Sequence, residues 1–398
     1  MPIEPLRGCK IFGAMKAFSG IRDIISLMHG PIGCYYGAAY HQLAQDESSL
    51  GVITSSITHD KEVVFGGEQK LGELIEKAQF LYGDKKLAIL GCCVPAIIGD
   101  DIEAVKEEFA PDALHVDGAG FKGEEWQGYE DALLQLIGMM KKGEKKERTV
   151  NILGFDTVSP RARADAAELK RLVAKSGWWT NTVLCVNADS MQIENMPNVE
   201  RNIVLGGYGL RLAEVMRERF GTPYEIVEMP YGKYLTREFL RKVTGSDAVY
   251  EEDIMPSLER AYLFIQKMYE MPVAVIADDA RAIALSKFFE IELGCEVVVS
   301  AAISGSPLHP EKSVGLFEID ELLKGAETGC DRLRLILGTT FQKRIAAELD
   351  AALIRVSYPS FDDVSLYDEA PYMGYRGEIV IIEKILNLFL NKYSEEVW

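Results

Sequence analysis

The sequence predicts an α/β protein with three doubly wound parallel sheets arranged around a cleft. The main observation is a recurring unit, in which an apolar β-branched segment ends in glycine or aspartate and a helical segment follows. Apolar strands with little alternation, each followed by a helix, are typical of parallel sheets that helices cover on both faces. The predicted strands of this kind are 87–91, 150–154, 202–206, 273–278 and 334–338. The second observation is the length of 398 residues, which corresponds to two or three domains.

Two interruptions divide the chain into three Rossmann-like domains. The charged run 141–148 precedes a new strand and is interpreted as a solvated connector. A long helix predicted near 251–270 ends before Met271 and Pro272, where another strand begins. The predicted domains are therefore 1–148, 149–265 and 266–398.

Composition limits the possible partners of the protein. The chain carries 43 Lys and Arg against 61 Asp and Glu, a net charge of −18. This balance argues against a nucleic-acid partner and against an anionic membrane, because both require a basic surface. We find no signal peptide or membrane span in the sequence and expect a cytoplasmic protein. We also expect no nucleotide on this chain, since it contains neither a P-loop sequence nor a dinucleotide fingerprint.

The seven cysteines are expected to be thiols or metal ligands rather than disulfides, because the predicted compartment is reducing. Cys9 and Cys34 lie at the two ends of a helical segment, and a Gly-Pro-x-Gly corner precedes Cys34. Cys92 and Cys93 follow a predicted strand, at the edge where parallel sheets bind ligands. Cysteines on separated loops can hold an iron–sulfur cluster. Spacing alone leaves a second interpretation open, in which they are buried thiols that pack as small apolar groups.

The acidic residues after Cys93 have a structural explanation. Asp100 lies at the predicted start of a helix, and Glu103 follows three residues later, as in a capping box. We therefore do not count Asp100 or Asp101 among the metal ligands. Cys185, Cys295 and Cys330 are expected to pack in the core or on the surface.

Several segments resemble, in the same order, the component 1 proteins of the nitrogenase superfamily. This family includes the dinitrogenase α and β subunits, the cofactor-assembly scaffold pair and subunits of dark-operative protochlorophyllide reductase. The segments that carry the resemblance are 9–34, 55–71, 92–105, 117–133, 201–224 and 370–387. In the family, three cysteines of the first domain hold an iron–sulfur cluster between two related subunits, and Cys9, Cys34 and Cys93 occupy the matching positions. Cys92 has no counterpart, and we interpret it as an alternative or redox-linked thiol.

The resemblance implies a component 1-type subunit of a nitrogenase-like oxidoreductase. An ATP-dependent 4Fe-4S reductase would deliver low-potential electrons to an iron–sulfur cluster. This cluster would be 4Fe-4S or larger, and it would be shared with a like or paralogous component 1 subunit. The protein would thus be at least a dimer, and the electrons would reduce a bound small-molecule or tetrapyrrole-like substrate. The resemblance assigns no catalytic residue.

Two departures from dinitrogenase bear on the substrate. Gly206 stands where the dinitrogenase α subunit has a cofactor-binding cysteine, and the stretch 356–364 lacks the second ligand, a histidine. We therefore expect no molybdenum–iron cofactor on this chain. One possibility is that a substrate binds in a cleft near residues 206–209, 278–281 and 338–340, where Arg281 could contact an anion or form a surface salt bridge. The other is that the chain is the ligand-poor half of a heteromer.

Three other functions remain open on the sequence alone. One is a scaffold subunit for metallocofactor assembly, and another is the catalytic subunit of the reductive cyclisation that makes coenzyme F430, although that subunit lacks a counterpart of Cys9. The third is a non-redox protein that binds a small molecule between three α/β domains.

Overall fold

Three four-stranded parallel sheets, flanked by helices, form the framework of the protein. The computed structural model describes residue 6 and residues 8–44, 53–311, 313–326, 332–364 and 369–392. Every strand pairing within these sheets is parallel. The α/β class and the three parallel sheets predicted from the sequence are confirmed.

The first sheet carries the segments that contain the predicted cluster ligands. Its strands have the order β2-β1-β3-β4. They are β1 (Ile24–His29), β2 (Ile53–Ser55), β3 (Lys86–Gly91) and β4 (Leu114–Asp117). The helices of this part are α1 (Lys10–Ser19), α2 (Ile32–Ala44), α3 (Asp60–Phe65), α4 (Glu68–Tyr82), α5 (Cys93–Ile98), α6 (Ile102–Phe109) and α7 (Glu125–Gln135). Strand β1 is buried along its whole length, because helices cover both faces of the sheet.

The second sheet repeats the same topology, with the order β6-β5-β7-β8. Its strands are β5 (Lys146–Leu153), β6 (Trp179–Val183), β7 (Val199–Leu205) and β8 (Tyr224–Val227). Its helices are α8 (Ala162–Lys175), α9 (Ser190–Asn195), α10 (Leu210–Phe220) and α11 (Gly232–Thr244).

The prediction of one long helix near 251–270 is wrong. The chain forms two single-turn helices there, α12 (Met255–Leu258) and α13 (Tyr262–Ile265), separated by the 3-10 turn Glu259–Ala261 and followed by another at Gln266–Met268. Several large apolar side chains of this stretch remain exposed, Leu263 among them. A long helix is stabilised mainly by burying one apolar face, and this stretch buries little of its own.

The third sheet has the order β10-β9-β11-β12. Its strands are β9 (Pro272–Ala277), β10 (Glu296–Ala302), β11 (Leu335–Gly338) and β12 (Ala352–Arg355). The helices that follow α13 are α14 (Asp279–Ile291), α15 (Leu316–Ala326), α16 (Lys343–Glu348) and α17 (Gly374–Lys392). Helix α17 packs on α8 and α11 of the second sheet, and the amide of Gly374 donates to the carbonyl of Pro230 at 2.8 Å. The predicted boundaries at 148 and 265 stay predictions.

The apolar cores join neighbouring sheets to each other. One cluster of buried side chains contains Ile24 from the first sheet and Leu153 and Val204 from the second. Another contains Val150 from the second sheet and Val273 from the third. Each large apolar side chain buried in this way contributes roughly 1.5–3 kcal/mol. The relative positions of the three sheets are therefore fixed by packing.

Helices α1 and α7 touch through their backbones, and this contact positions Cys9. A Cβ atom added to Gly13 would lie 1.7 Å from the carbonyl oxygen of Glu125, and one added to Gly128 would lie 1.8 Å from that of Lys10. Only glycine permits such an approach. Because Lys10 follows Cys9 directly, the contact holds this cysteine against the first sheet.

Candidate metal centre

The predicted ligands meet at the edge of the first sheet where its strands end. Cys34 lies in the first turn of α2, which follows β1, and Cys93 is the first residue of α5, which follows β3. Strands β1 and β3 are neighbours, so the loops at their carboxyl ends lie side by side. Cys9 arrives from the start of α1, where it forms an isolated antiparallel bridge with Glu124.

Cys9 and Cys93 converge on the backbone of Gly120. The amide of Gly120 donates a hydrogen bond to the Cys93 Sγ at 3.1 Å. A Cβ atom added to Gly120 would lie 3.6 Å from the Cys93 Sγ and 3.8 Å from the Cys9 Sγ. Both sulfurs therefore approach the same point, and the absence of a side chain at Gly120 keeps the space between them free.

The Cys34 sulfur interacts with the thiol of Cys92, the residue that precedes Cys93. A hydrogen bond from the Cys92 thiol lowers the pKa of Cys34 to about 7. The same bond, together with burial, raises the pKa of Cys92. Burial also raises the pKa of Cys9, and repulsion from Cys34 and Cys93 adds to this effect. The four sulfurs are thus close enough to influence one another.

The donor set fits a cluster better than a single ion. Within the described residues, no three His, Cys, Asp or Glu side chains lie close enough to hold one metal ion. In an iron–sulfur cluster the cysteines bind different iron atoms, so their sulfurs stand further apart than around one ion. Cys9, Cys34 and Cys93 are all partly exposed, and the position of a Cβ atom added to Gly33 is open. These residues fit a cluster on an outward-facing edge that one chain leaves incomplete, and their assignment as ligands stays a prediction.

A buried histidine supports the loops around the cysteines. His29 is fully buried, with its Nδ1 3.0 Å from the Ser56 Oγ and its Nε2 2.9 Å from Asp100 Oδ2. Asp100 also accepts the amide of Gly67 at 2.9 Å. Asp100 is therefore not the helix cap that the sequence predicted. The cap is Asp101, whose carboxylate accepts the amide of Ala104 at 3.0 Å.

Large apolar side chains project into solvent from the helices at this edge. We call this group the apolar rim. It consists of Ile32 and Tyr36 on α2, Val64 and Phe65 on α3, and Ile97 on α5. Phe65 is 80% exposed. Because α2 and α5 also carry Cys34 and Cys93, the rim lies beside the sulfurs, and exposed apolar groups gathered in this way are typical of protein–protein contacts.

The predicted cleft between the sheets contains a small cavity. This cavity measures about 50 Å³, and its lining includes Tyr208, Asp278 and Arg281. Two of the three predicted segments thus contribute to it, whereas its third side is formed by Ser357 and Tyr358 instead of residues 338–340. Pockets for small organic ligands usually measure roughly 300–1,000 Å³.

Both basic side chains that line the cavity form ion pairs with carboxylates. Arg281 is buried and pairs with Asp278 at the start of α14. Lys16 pairs with Glu125, and its Nζ lies 4.0 Å from the centroid of the Tyr358 ring. Arg281 thus forms a salt bridge, but this pair is buried and not at the surface as the sequence predicted.

Gly206 has no room for a metal-binding side chain. Its φ is +58°, and an added Cβ atom would lie 2.2 Å from the Cβ of Ala280 on α14. Ala280 therefore occupies the space that a side chain at position 206 would need.

Comparison with known proteins identifies the family. The family model for nitrogenase component 1-type oxidoreductases matches residues 9–390. The chain belongs to this family. It is 25% identical over 449 residues to the nitrogenase molybdenum-iron protein beta chain of Clostridium pasteurianum, covering 99% of this chain and 94% of that protein.

A second relative performs a different reduction. The chain is 24% identical over 413 residues to a light-independent protochlorophyllide reductase subunit of Trichormus variabilis, covering 95% of this chain and 81% of that protein. Among solved structures, nitrogenase Cp1 at pH 6.5 superposes with a TM-score of 0.78 at 21% identity, covering 100% of this chain and 95% of that chain. The resemblance seen in the sequence is confirmed, and this component 1-type chain is an oxidoreductase.

Other predictions for individual residues can now be placed in the component 1-type fold. Cys185 and Cys295 are buried in apolar clusters, as expected, and Cys330 lies outside the described residues. Sequence reasoning missed the pairing of His29 with Asp100, because 71 residues separate the two. It also missed the apolar rim, since exposure of apolar residues cannot be recognised from their pattern. No helix in the part of the chain that the structure describes is both long and apolar enough to span a membrane.

Proposed function

We propose that this chain is the cluster-binding, electron-accepting subunit of a nitrogenase-like two-component reductase. Cys9, Cys34 and Cys93 would bind the iron–sulfur cluster. The observation that carries this proposal is the convergence of three partly exposed thiols, from segments far apart in the sequence, at one edge of a parallel sheet. Members of the family bind iron–sulfur clusters, and the donor set found here is suited to one.

Residues around the thiols would favour the cluster-bound state. When bound, the cluster supplies one-electron transfer at low potential. The amide of Gly120 donates to the Cys93 sulfur and so favours its thiolate form. The buried pair of His29 and Asp100 fixes the loop after β1 to the end of α5. The sulfurs are thereby held in place before metal arrives.

A partner subunit would complete the site. Three thiols from one chain leave a cluster open on the side that faces solvent, and the apolar rim borders that side. A like or paralogous component 1 subunit would close the cluster, which couples metal binding to assembly. An ATP-dependent 4Fe-4S reductase would deliver the electrons. Both relatives named above are single chains of larger proteins, in agreement with this arrangement.

The substrate would bind outside the cavity between the sheets. At about 50 Å³ this cavity holds a few water molecules and no tetrapyrrole. Its two basic groups, Lys16 and Arg281, are already paired with carboxylates, and Gly206 leaves no space for a metal ligand. These observations favour the interpretation of this chain as the ligand-poor member of a heteromer, with reduction taking place on the partner or between the subunits. A cytoplasmic location stays a prediction.

Anoxic purification tests the proposal. The protein is expected to be brown, to contain iron and acid-labile sulfide, and to show a cluster signal in electron paramagnetic resonance. Cys34→Ala should remove most of the iron and weaken subunit pairing in analytical ultracentrifugation. Cys295→Ala is the matched control, since this buried thiol directly precedes β10 of the third sheet and donates to the carbonyl of Met268.

Iron-free wild-type protein prepared under strict anoxia would refute the proposal and favour the small-molecule binder. Equal iron contents in the Cys34→Ala and Cys295→Ala variants would refute the ligand assignment. A protein that holds the cluster but supports no multiple-turnover reduction with its cognate reductase would be an assembly scaffold instead.

A further inference from the structure

A pocket with apolar walls opens where α17 packs beside α13. It measures about 220 Å³. An apolar cavity of about 150 Å³ holds a benzene molecule, so this pocket has room for a body of roughly nine non-hydrogen atoms. The lining residues from α17 are spaced i, i+3 and i+4 and therefore share one face of the helix. Apart from Pro272, the apolar residues of the lining are Phe264, Met268, Met271, Leu386, Phe389 and Leu390.

The pocket lies at the edge of the third sheet where the strands begin. Pro272 is the first residue of β9 and Arg334 directly precedes β11, and both line the pocket. Asp278, which lines the small cavity between the sheets, follows the last residue of β9. The six residues of this strand separate the two edges by about 20 Å. The pocket is therefore separate from that cavity, and also from the metal centre on the first sheet.

The buried wall of the pocket is held in place by the main apolar core. Met268 is 2% exposed and Met271 is 7% exposed, and both belong to the cluster that joins the second and third sheets. The amide of Met271 donates to the carbonyl of Met268 at 3.1 Å, and the amide of Glu296 donates to the carbonyl of Met271 at 3.0 Å. A ligand thus meets a wall that is already ordered, which favours binding.

The pocket is also distinguished by its charge. Two ionisable side chains line it, Lys267 and Arg334, and both are basic. They stand out on a chain whose net charge is −18. Lys267 is exposed and Arg334 is half-buried, whereas the methionines are buried, so the charges lie on the solvent side of the apolar walls. The amide of Arg334 donates to the carbonyl of Pro272 at 3.1 Å, which fixes the backbone that carries the guanidinium.

We propose that this pocket binds a small amphipathic carboxylate, a medium-chain fatty acid of about eight carbon atoms. The apolar chain would lie between α13 and α17, where it is removed from water. The carboxylate would contact Arg334 and Lys267, because a guanidinium can donate two parallel hydrogen bonds to a carboxylate. The volume of the pocket limits the length of the chain, and its charge selects the head group. A ligand that binds only the folded protein also stabilises it.

Calorimetric titration of the whole protein tests the inference with two probes, octanoate and 1-octanol, which share an eight-carbon chain and differ in charge. Octanoate should bind once per chain and raise the melting temperature, and 1-octanol should bind at least about tenfold more weakly. Arg334→Gln should weaken octanoate binding by about tenfold and leave 1-octanol binding unchanged. Arg332→Gln is the matched control, since this exposed arginine pairs with Asp350 at 3.8 Å outside the pocket, and it should keep the wild-type affinity.

A filled pocket provides the second test. Leu390 is half-buried, so Leu390→Trp adds volume to the pocket without opening a cavity in the core. This variant should keep the circular dichroism spectrum of the wild type and lose the binding of both probes.

Four results would overturn the inference. They are a wild type that shows no saturable octanoate binding, equal affinities for the two probes, equal effects of Arg332→Gln and Arg334→Gln, and a Leu390→Trp variant that sediments as a different oligomer while it still binds octanoate. The last result would identify the pocket as a contact between chains. None of these measurements depends on iron, so their failure would leave the proposed function untouched.

Discussion

The substitution Gly128→Ala is expected to displace Cys9 from the metal centre, although residue 128 is not near any sulfur in the sequence. An alanine Cβ atom there would lie 1.8 Å from the carbonyl oxygen of Lys10. Ordinary contacts begin at 3.4 Å, so α1 must move by about 1.6 Å to accept the methyl group. The obstructing atoms belong to the backbone, and no side-chain rotation relieves the clash.

Two effects of opposite sign determine the change in stability. Alanine in place of glycine favours a helix by about 1 kcal/mol. Overpacking of a tightly packed contact costs typically 1–3 kcal/mol, and a clash with backbone atoms belongs at the upper end, about 3 kcal/mol before the helix gain. We expect a net loss of about 2 kcal/mol in the free energy of unfolding. The effect on metal binding should be larger, since ligand distances tolerate only about 0.2 Å.

The assay combines urea unfolding with iron determination on anoxic protein. Gly138→Ala is the matched control, because Gly138 is exposed in the 3-10 turn after α7 and an added Cβ atom would meet nothing within 4 Å. The free energy of unfolding of the control should lie within about 0.5 kcal/mol of the wild-type value, and the control should keep its iron. If Gly128→Ala retained the iron and stability of the control, the contact between α1 and α7 would not position Cys9.

Two further substitutions test the packing between domains. Burial raises the pKa of Asp165 to about 7, and one of its oxygens accepts the amides of Tyr372 at 2.6 Å and Met373 at 2.8 Å. The folded protein holds this proton more tightly than the unfolded chain, so the resulting stability is complete below about pH 4 and is lost as the pH rises through about 7. Asp165→Asn keeps an acceptor and should flatten the pH dependence of the free energy of unfolding measured with urea, by at most about 4 kcal/mol. Parallel pH profiles of wild type and variant would contradict this. Gly206→Ala should lower the free energy of unfolding by about 1–3 kcal/mol, because the methyl group meets Ala280 and φ is positive. Adding Ala280→Gly should recover part of that loss, and no recovery would show that backbone strain alone is responsible.

Local sequence patterns were sufficient to predict five inner strands of the three sheets. All five predicted strands correspond to β3, β5, β7, β9 and β11, because a strand buried on both faces requires a continuous apolar run. The helix predicted near 251–270 failed for a related reason. Pro256 falls inside this range and is tolerated only in the first turn of a helix, where the structure places it. The residues after it would need a core to bury their apolar face, and that information is not local.

The sequence by itself determined the α/β class, the family and the three thiols that match its cluster ligands, since each is recorded in residue type and order along the chain. Only the tertiary structure decided how those residues are used. It pairs Asp100 with His29, pairs Lys16 with Glu125 and closes the space at Gly206 with Ala280. Each of these contacts joins residues that are distant along the chain. Their distances depend on how helices and sheets pack, and no short-range pattern specifies that packing.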